Sequence, residues 1–212
     1  MNDFKKSLKG FKEKKKISYY KTYERNIRGE KVYTGIIETK KELAQDNYLG
    51  GVSCFIINDE GKVLIEKRAN TKINSGEIDL CSGHIDGEET PTQAMIREYV
   101  EELHNGSSEE KEKARNEAIQ NLCKLDELDL IFHNRGNTRK FFIQFYTMKT
   151  KLENVTIQPE EIDSIEWVNL DEAFDLIRQG KTKFPYDERY EKIFEKVSEH
   201  YKGIKEEKVL NK

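Results

Sequence analysis

"GHIDGEETPTQAMIREYVEEL", residues 83–103, decides how this chain is read. Its second half contains both ends of a helix. The Thr90 hydroxyl suits a helix N-cap, Pro91 follows at the first helical position where its missing N–H is harmless, and Gln93 completes a T-x-x-Q capping box. Asn105-Gly106 supplies a stop. At a period of 3.6, Met95, Ile96, Tyr99, Val100 and Leu103 form an apolar stripe, while Ala94, Glu98, Glu101 and Glu102 share the opposite side. Glu98, Glu101 and Glu102 stand at i, i+3 and i+4, where like charges each cost a helix about 0.2–0.5 kcal/mol. Ahead of the helix lies Gly83-His84-Ile85-Asp86-Gly87, a glycine-bounded loop of the kind that brings backbone close to a ligand, and Arg97 immediately precedes the first helix carboxylate. Clustered carboxylates beside such a loop suit a hard cation, Mg²⁺ or Mn²⁺, held through a few carboxylates plus substrate phosphates. That cation would cancel the repulsion.

Working outward, "ISYYKTYERNIRGEKVYTGII" (17–37) alternates aromatic or β-branched with polar residues around Arg28-Gly29, a hairpin pattern. "GGVSCFIIND" (50–59) and "EGKVLIEKR" (60–68) form a second strand pair, turning at Asn58-Asp59-Glu60-Gly61. After the opening stretch, Ser107 and Glu110 form a capping box for a helix over 107–124, with Ala114, Ala118, Ile119 and Leu122 on one side. "RKFFIQFYTMKT" (139–150) and "IDSIEWVNL" (162–170) read as strands. "LDEAFDLIRQG" (170–180) is a short helix stopped by Gly180, and a last helix carries Tyr190, Ile193, Phe194, Val197 and Tyr201 as its stripe. Strands and helices in this irregular order give an α/β or α+β domain on a mixed sheet.

Composition limits the function. The 212 residues suffice for one good-sized domain, and a net charge of −3 generates no field of the size nucleic-acid binding needs. Cys54, Cys81 and Cys123 lack metal-site spacing and read as thiols of a reducing compartment. The lysine-rich start, residues 1–16, has no apolar run of signal-peptide length, and no stretch approaches a membrane span, so a soluble cytoplasmic protein is expected. Phe4, Leu8 and Phe11 in that segment fit a short helix docked on the body with its lysines solvated.

Gly83, Glu89, Arg97-Glu98 and Glu101-Glu102 fall at the spacing of a known motif. The pattern resembles the Nudix box, G-x5-E-x7-R-E-U-x-E-E-x-G-U, departing only where His104-Asn105 replaces the closing Gly-apolar pair. "GKVLIEKR" resembles the family's G-x-x-L-L-x-x-R run before the box, and "IEWVNLDEAFDLI" its E-W-V strand and following helix. The resemblance covers residues about 48–180. It implies an α/β/α sandwich around a mixed sheet, with a Nudix domain over 46–180 (box 83–105), an N-terminal basic segment and hairpin over 1–45, and a packed C-terminal helix over 181–212.

The resemblance also implies a chemistry: Mg²⁺-dependent hydrolysis of a diphosphate linkage in a small-molecule nucleoside diphosphate derivative, with Mn²⁺ as an alternative ion. By match to the box, Glu98 and Glu102 are the principal metal ligands and Glu101 a further ligand or water-orienting group. Glu89 is an outer ligand or the partner that fixes Arg97, and the Ser82 carbonyl is an added ligand. A distant carboxylate from the loop before the E-W strand is assigned to Glu161, with Glu160 next. His84 is read as structural rather than as a base. Homodimers are common in such proteins, and the N-terminal hairpin could exchange or pair.

Three other functions are weighed. "SGHIDGEE" resembles the Gly-His loop of the isopentenyl diphosphate isomerase branch, but Ser82 stands where that branch has its cysteine, Cys81 is one residue back, and no histidine precedes the box. A non-catalytic nucleotide sensor usually lacks box carboxylates, and none is missing. An RNA-directed, decapping-type hydrolase would use the lysine-rich start as a phosphate-contact arm; the modest net charge argues against it, and its binding would weaken steeply with salt.

Overall fold

Ten consecutive buried residues, Tyr48–Ile57, make β3, the strand on which the fold is organised. A strand covered on both faces reads as an unbroken apolar run, as "YLGGVSCFII" does. The computed structural model describes residues 19–38, 47–70, 75–134, 137–151, 155–183 and 185–210. The lysine-rich segment 1–16 lies outside the described residues.

The other elements are β1 (Tyr20–Arg25), β2 (Lys31–Ile37), β4 (Lys62–Arg68), β5 (Ile78–Asp79), β6 (Cys81–His84), α1 (Pro91–Leu103), α2 (Ser108–Asn121), β7 (Leu122–Asn134), β8 (Asn137–Lys149), β9 (Ile162–Asn169), α3 (Leu170–Arg178) and α4 (Tyr190–Leu210). β3 runs parallel to β8 along its whole length, from Tyr48↔Lys140 to Ile57↔Lys149. It is antiparallel to β1, β4 and β6. β7 extends the sheet beyond β8, β2 beyond β1, and β9 pairs with β4. The sheet is therefore mixed, as expected.

Strand alternation divides the core in two. Val52, Cys54 and Ile56 pack with Met95, Tyr99 and Leu103 of α1 and Ala114 and Ala118 of α2. Phe55 and Ile57 point the other way, to Phe174 and Ile177 of α3 and Tyr190, Ile193, Phe194 and Val197 of α4. Helices thus cover both faces of the sheet, giving the α/β/α sandwich. No helix among the described residues is long and apolar enough to cross a membrane.

Two local features place the site. At the β3–β4 turn the Asn58 carboxamide oxygen accepts hydrogen bonds from the Glu60 and Lys62 amides at 3.0 and 2.9 Å, and Gly61 takes φ +81°. This turn fixes which residues of β4 face α1. At the start of α1, Thr90 Oγ1 accepts from the Gln93 amide at 3.2 Å, and Gln93 Oε1 accepts from the Thr90 amide at 2.8 Å. The capping box forms as read.

One helix differs from the expectation. The helix predicted over 107–124 ends at Asn121, and Leu122 opens β7. Ala114 and Ala118 are buried, but Ile119 is exposed and Leu122 belongs to the strand.

Candidate active site

The carboxylate face of α1 is not a solvated one. Ala94 is fully buried, Glu102 is 7% exposed and the Glu98 side chain 13%, whereas the Glu101 side chain is 46% exposed. The three glutamates therefore separate. Glu98 and Glu102, one turn apart, lie in the buried layer under β6, and Glu101 turns outward to Arg97 Nη1 at 3.3 Å. Gly83 makes room for this: a Cβ there would overlap the Glu98 carboxylate, so the strand approaches the acid as closely as backbone alone permits.

Arg97 holds the loop. Its Nε and Nη2 donate to the two oxygens of Glu89 at 2.9 and 3.1 Å, its Nη2 also donates to the His84 carbonyl at 2.8 Å, and its Nη1 donates to Glu98 at 2.8 Å. Glu89 is thus the fork partner of Arg97, a bidentate pairing of fixed geometry. It also accepts from the Asp86 amide at 3.1 Å. The N-terminal hairpin braces the same loop from outside: Lys21 N donates to the Ile85 carbonyl at 3.2 Å, Lys21 Nζ to the Glu89 carbonyl at 2.9 Å, and the Gly87 amide to the Tyr19 carbonyl at 3.2 Å. His84 sits between aromatic rings, edge-on to Tyr20 at 5.2 Å and tilted against Phe141 at 5.7 Å.

Ser82 is opposite Ser53 on β3, and its Oγ donates to Asp79 Oδ2 at 3.0 Å. Glu161 lies in the turn before β9, where its carbonyl accepts from the Ala69 amide at 2.9 Å, and Glu160 is exposed beside it.

Five residues that the sequence reading did not assign to the site complete it. Glu66, on β4, is 4% exposed and faces α1 beside Leu64. Glu66, Cys81 and Glu102 offer ligand atoms that all lie within 4.8 Å of one another. Cys81 Sγ approaches Glu102 Oε2 at 3.5 Å. Asp79 Oδ2 is shared by Arg68 Nη1 at 3.3 Å and Lys183 Nζ at 3.1 Å, and Lys183 also donates to Ser82 Oγ at 3.3 Å across 101 residues of sequence. A carboxylate at Glu66, where the alternation of β4 calls for an apolar side chain, was the available signal; Lys183 left none.

The electrostatics follow from burial. Desolvation raises the Glu98 carboxyl to about 7 although Arg97 pulls it down. Burial, with Glu66 and Glu98 as like-charged neighbours, drives Glu102 well above the carboxylate range. Burial and Asp79 do the same to Glu66, and burial holds Cys81 as a thiol. Buried carboxylates in this excess either keep protons or hold a cation. The donors fit a divalent ion: Glu98 faces a side-chain-free strand position, Glu102 lies beside Cys81 and Glu66, and Glu66 Oε1 is buried with no hydrogen-bond partner.

These features match known proteins. The NUDIX domain model matches residues 47–192. An RNA pyrophosphohydrolase of Rickettsia bellii is 30% identical over 152 residues, 68% of this chain and 89% of its own. One from Rickettsia prowazekii is 30% identical over 139 residues, covering 64% and 84%. Among solved structures, a Deinococcus radiodurans protein aligns with a TM-score of 0.50 at 21% identity, covering 84% of this chain and 98% of its own. A NUDIX hydrolase from Alicyclobacillus acidocaldarius gives 0.50 at 13%, covering 73% and 92%. A match running through most of the chain, on the same residues that meet at the loop–helix junction, fixes the kinship: this protein belongs to the NUDIX family and is an enzyme of its pyrophosphohydrolase type.

Proposed function

We propose that this chain hydrolyses a phosphoric anhydride in a nucleoside diphosphate derivative and uses Mg²⁺, or Mn²⁺ in its place. The observation that carries the reading is the burial of Glu102, and of the Glu98 side chain against Gly83, with more negative charge than the neighbouring Arg68, Arg97 and Lys183 offset. Glu98 and Glu102 would hold the ion, joined by the Ser82 carbonyl. A bound divalent ion would screen the diphosphate and polarise the attacking water. Arg97 keeps the loop carbonyl of His84 and the Glu89 carboxylate in one geometry, so the ligands are positioned before substrate arrives. Glu101, at the exposed rim beside Arg97, is suited to orient water rather than to join the inner ligands. Glu161 is the candidate distant carboxylate that accepts the proton of the water. A cytoplasmic location suits the three free cysteines.

A second reading has its own observation. The relatives at 30% identity are named RNA pyrophosphohydrolases, which favours the 5′-phosphorylated end of an RNA as substrate. The two are separated by one panel: nucleoside triphosphates, nucleotide sugars, dinucleoside polyphosphates and 5′-triphosphorylated RNA, each with Mg²⁺ and with chelator. Small nucleotides turned over at rates little changed by salt support the first reading. Turnover confined to RNA, with KM rising steeply between about 50 and 200 mM salt, supports the second. No Mg²⁺-dependent product from any of them would refute both.

A further inference from the structure

Glu66 comes from β4, outside the box, yet its carboxylate lies within one ion's reach of the buried box residue Glu102. Its Oε1 is enclosed and meets no donor. Leaving a buried carboxylate oxygen bare costs more than a typical hydrogen bond returns, so such an atom calls for a partner. Arg68 and Lys183, which both approach Asp79, also pull on the Glu66 charge, but no donor bonds that oxygen, and Arg97 spans Glu89, Glu98 and Glu101. Glu66, Glu102 and the Cys81 thiol offer three ligand atoms within one ion's reach.

Building on the proposed cation site at Glu98 and Glu102, we propose that Glu66 and Cys81 complete it from the sheet side and give it a higher affinity for a thiophilic divalent ion than for the Mg²⁺ of the proposed reaction. The Cys81 side chain faces α1 because strand alternation sends Ser82 to the other face, towards Asp79. A site of carboxylates alone favours Mg²⁺ or Mn²⁺; one sulfur ligand tilts the preference towards Co²⁺, Zn²⁺ or Cd²⁺. Coordination takes the thiolate, so the Cys81 proton leaves to the buffer as the metal–sulfur bond forms, and no electron moves.

The probe is Cd²⁺, whose bond to a thiolate absorbs in the ultraviolet, titrated into chelator-stripped full-length protein. Cys123→Ser serves as the background, since Cys123 is the exposed thiol. One equivalent of Cd²⁺ is expected to produce the charge-transfer band, Cys81→Ser to abolish it, and Cd²⁺ to bind at least about 100-fold more tightly than Mg²⁺. Glu66→Gln, nearly isosteric, should weaken Mn²⁺ binding measured by calorimetry about tenfold or more, with an unchanged circular dichroism spectrum. Glu66→Asp, which keeps the charge and withdraws the oxygen, should fall between. A band that survives Cys81→Ser, or wild-type Mn²⁺ affinity in a folded Glu66→Gln, overturns the inference. If Glu102→Gln still abolishes Mg²⁺-dependent turnover in that case, the proposed function stands without it. Failure of the wild-type protein to bind any of these ions removes both.

Discussion

Replacing Glu98 with glutamine should stabilise the metal-free protein, and only at high pH. Folded, the Glu98 carboxyl keeps its proton to about pH 7, against 4.5 for an unperturbed glutamate, because burial outweighs the pull of Arg97. Between those values the native state binds more protons than the unfolded chain, so stability is full below about pH 4.5 and is lost as pH rises through about 7. At about 1.4 kcal/mol per pKa unit the shift is worth about 3 kcal/mol. Glu98→Gln has no proton to lose and escapes that penalty. Urea unfolding in chelator, followed by the fluorescence of Trp167, the single tryptophan, which packs beside the α1 core, gives the measurement. Variant and wild type should agree at about pH 4 and diverge by about 3 kcal/mol at about pH 8.5 in the variant's favour. Mg²⁺ at about 100 times its Kd should then return about 2.7 kcal/mol to the wild type alone. A variant no more stable at the higher pH, relative to wild type, would refute the argument that the buried carboxylate is uncompensated.

Other perturbations test the frame around the site. Thr90→Ala removes the N-cap of α1 and should cost about 1 kcal/mol, or about 2–4 °C in Tm by thermal melt. Phe55→Ala empties the centre of the α3–α4 core and should cost about 3–5 kcal/mol in urea unfolding. Arg97→Lys keeps the charge but not the fork to Glu89; kcat should fall about tenfold or more while the melt moves little, and unchanged kcat would remove Arg97 from the positioning role. Asp79→Asn strips the shared counter-charge of Arg68 and Lys183 and should cost about 3–5 kcal/mol in urea unfolding.

Local signals in the sequence were legible and global ones were not. The N-terminal capping box of α1, the Asn58–Gly61 turn and the stripe of α4 each depend on neighbours within a few residues, and each forms as written, whereas α1 stops at His104, ahead of the expected Asn105-Gly106. The end of α2 was misread because the leucines at 122, 125 and 128 recur every three residues before the pattern becomes alternating, so a helix continues to fit after the strand has begun. Of the site, the box residues were found by spacing. Their division was not: whether Glu101 or Glu102 turns inward depends on where β6 crosses α1, and only Glu102 meets it. Glu66 was passed over within a strand pattern, and Lys183 reaches Ser82 only through the packing of a segment 101 residues away.

The central claim is that buried carboxylates of α1 hold a catalytic divalent ion, and Glu102→Gln tests it most directly. Mg²⁺-dependent hydrolysis of the best substrate on the panel should fall on the order of 10³-fold in kcat, while the circular dichroism spectrum is retained and the metal-free variant is at least as stable as wild type. Wild-type kcat in a folded Glu102→Gln protein would contradict the account and place the reaction elsewhere on the fold.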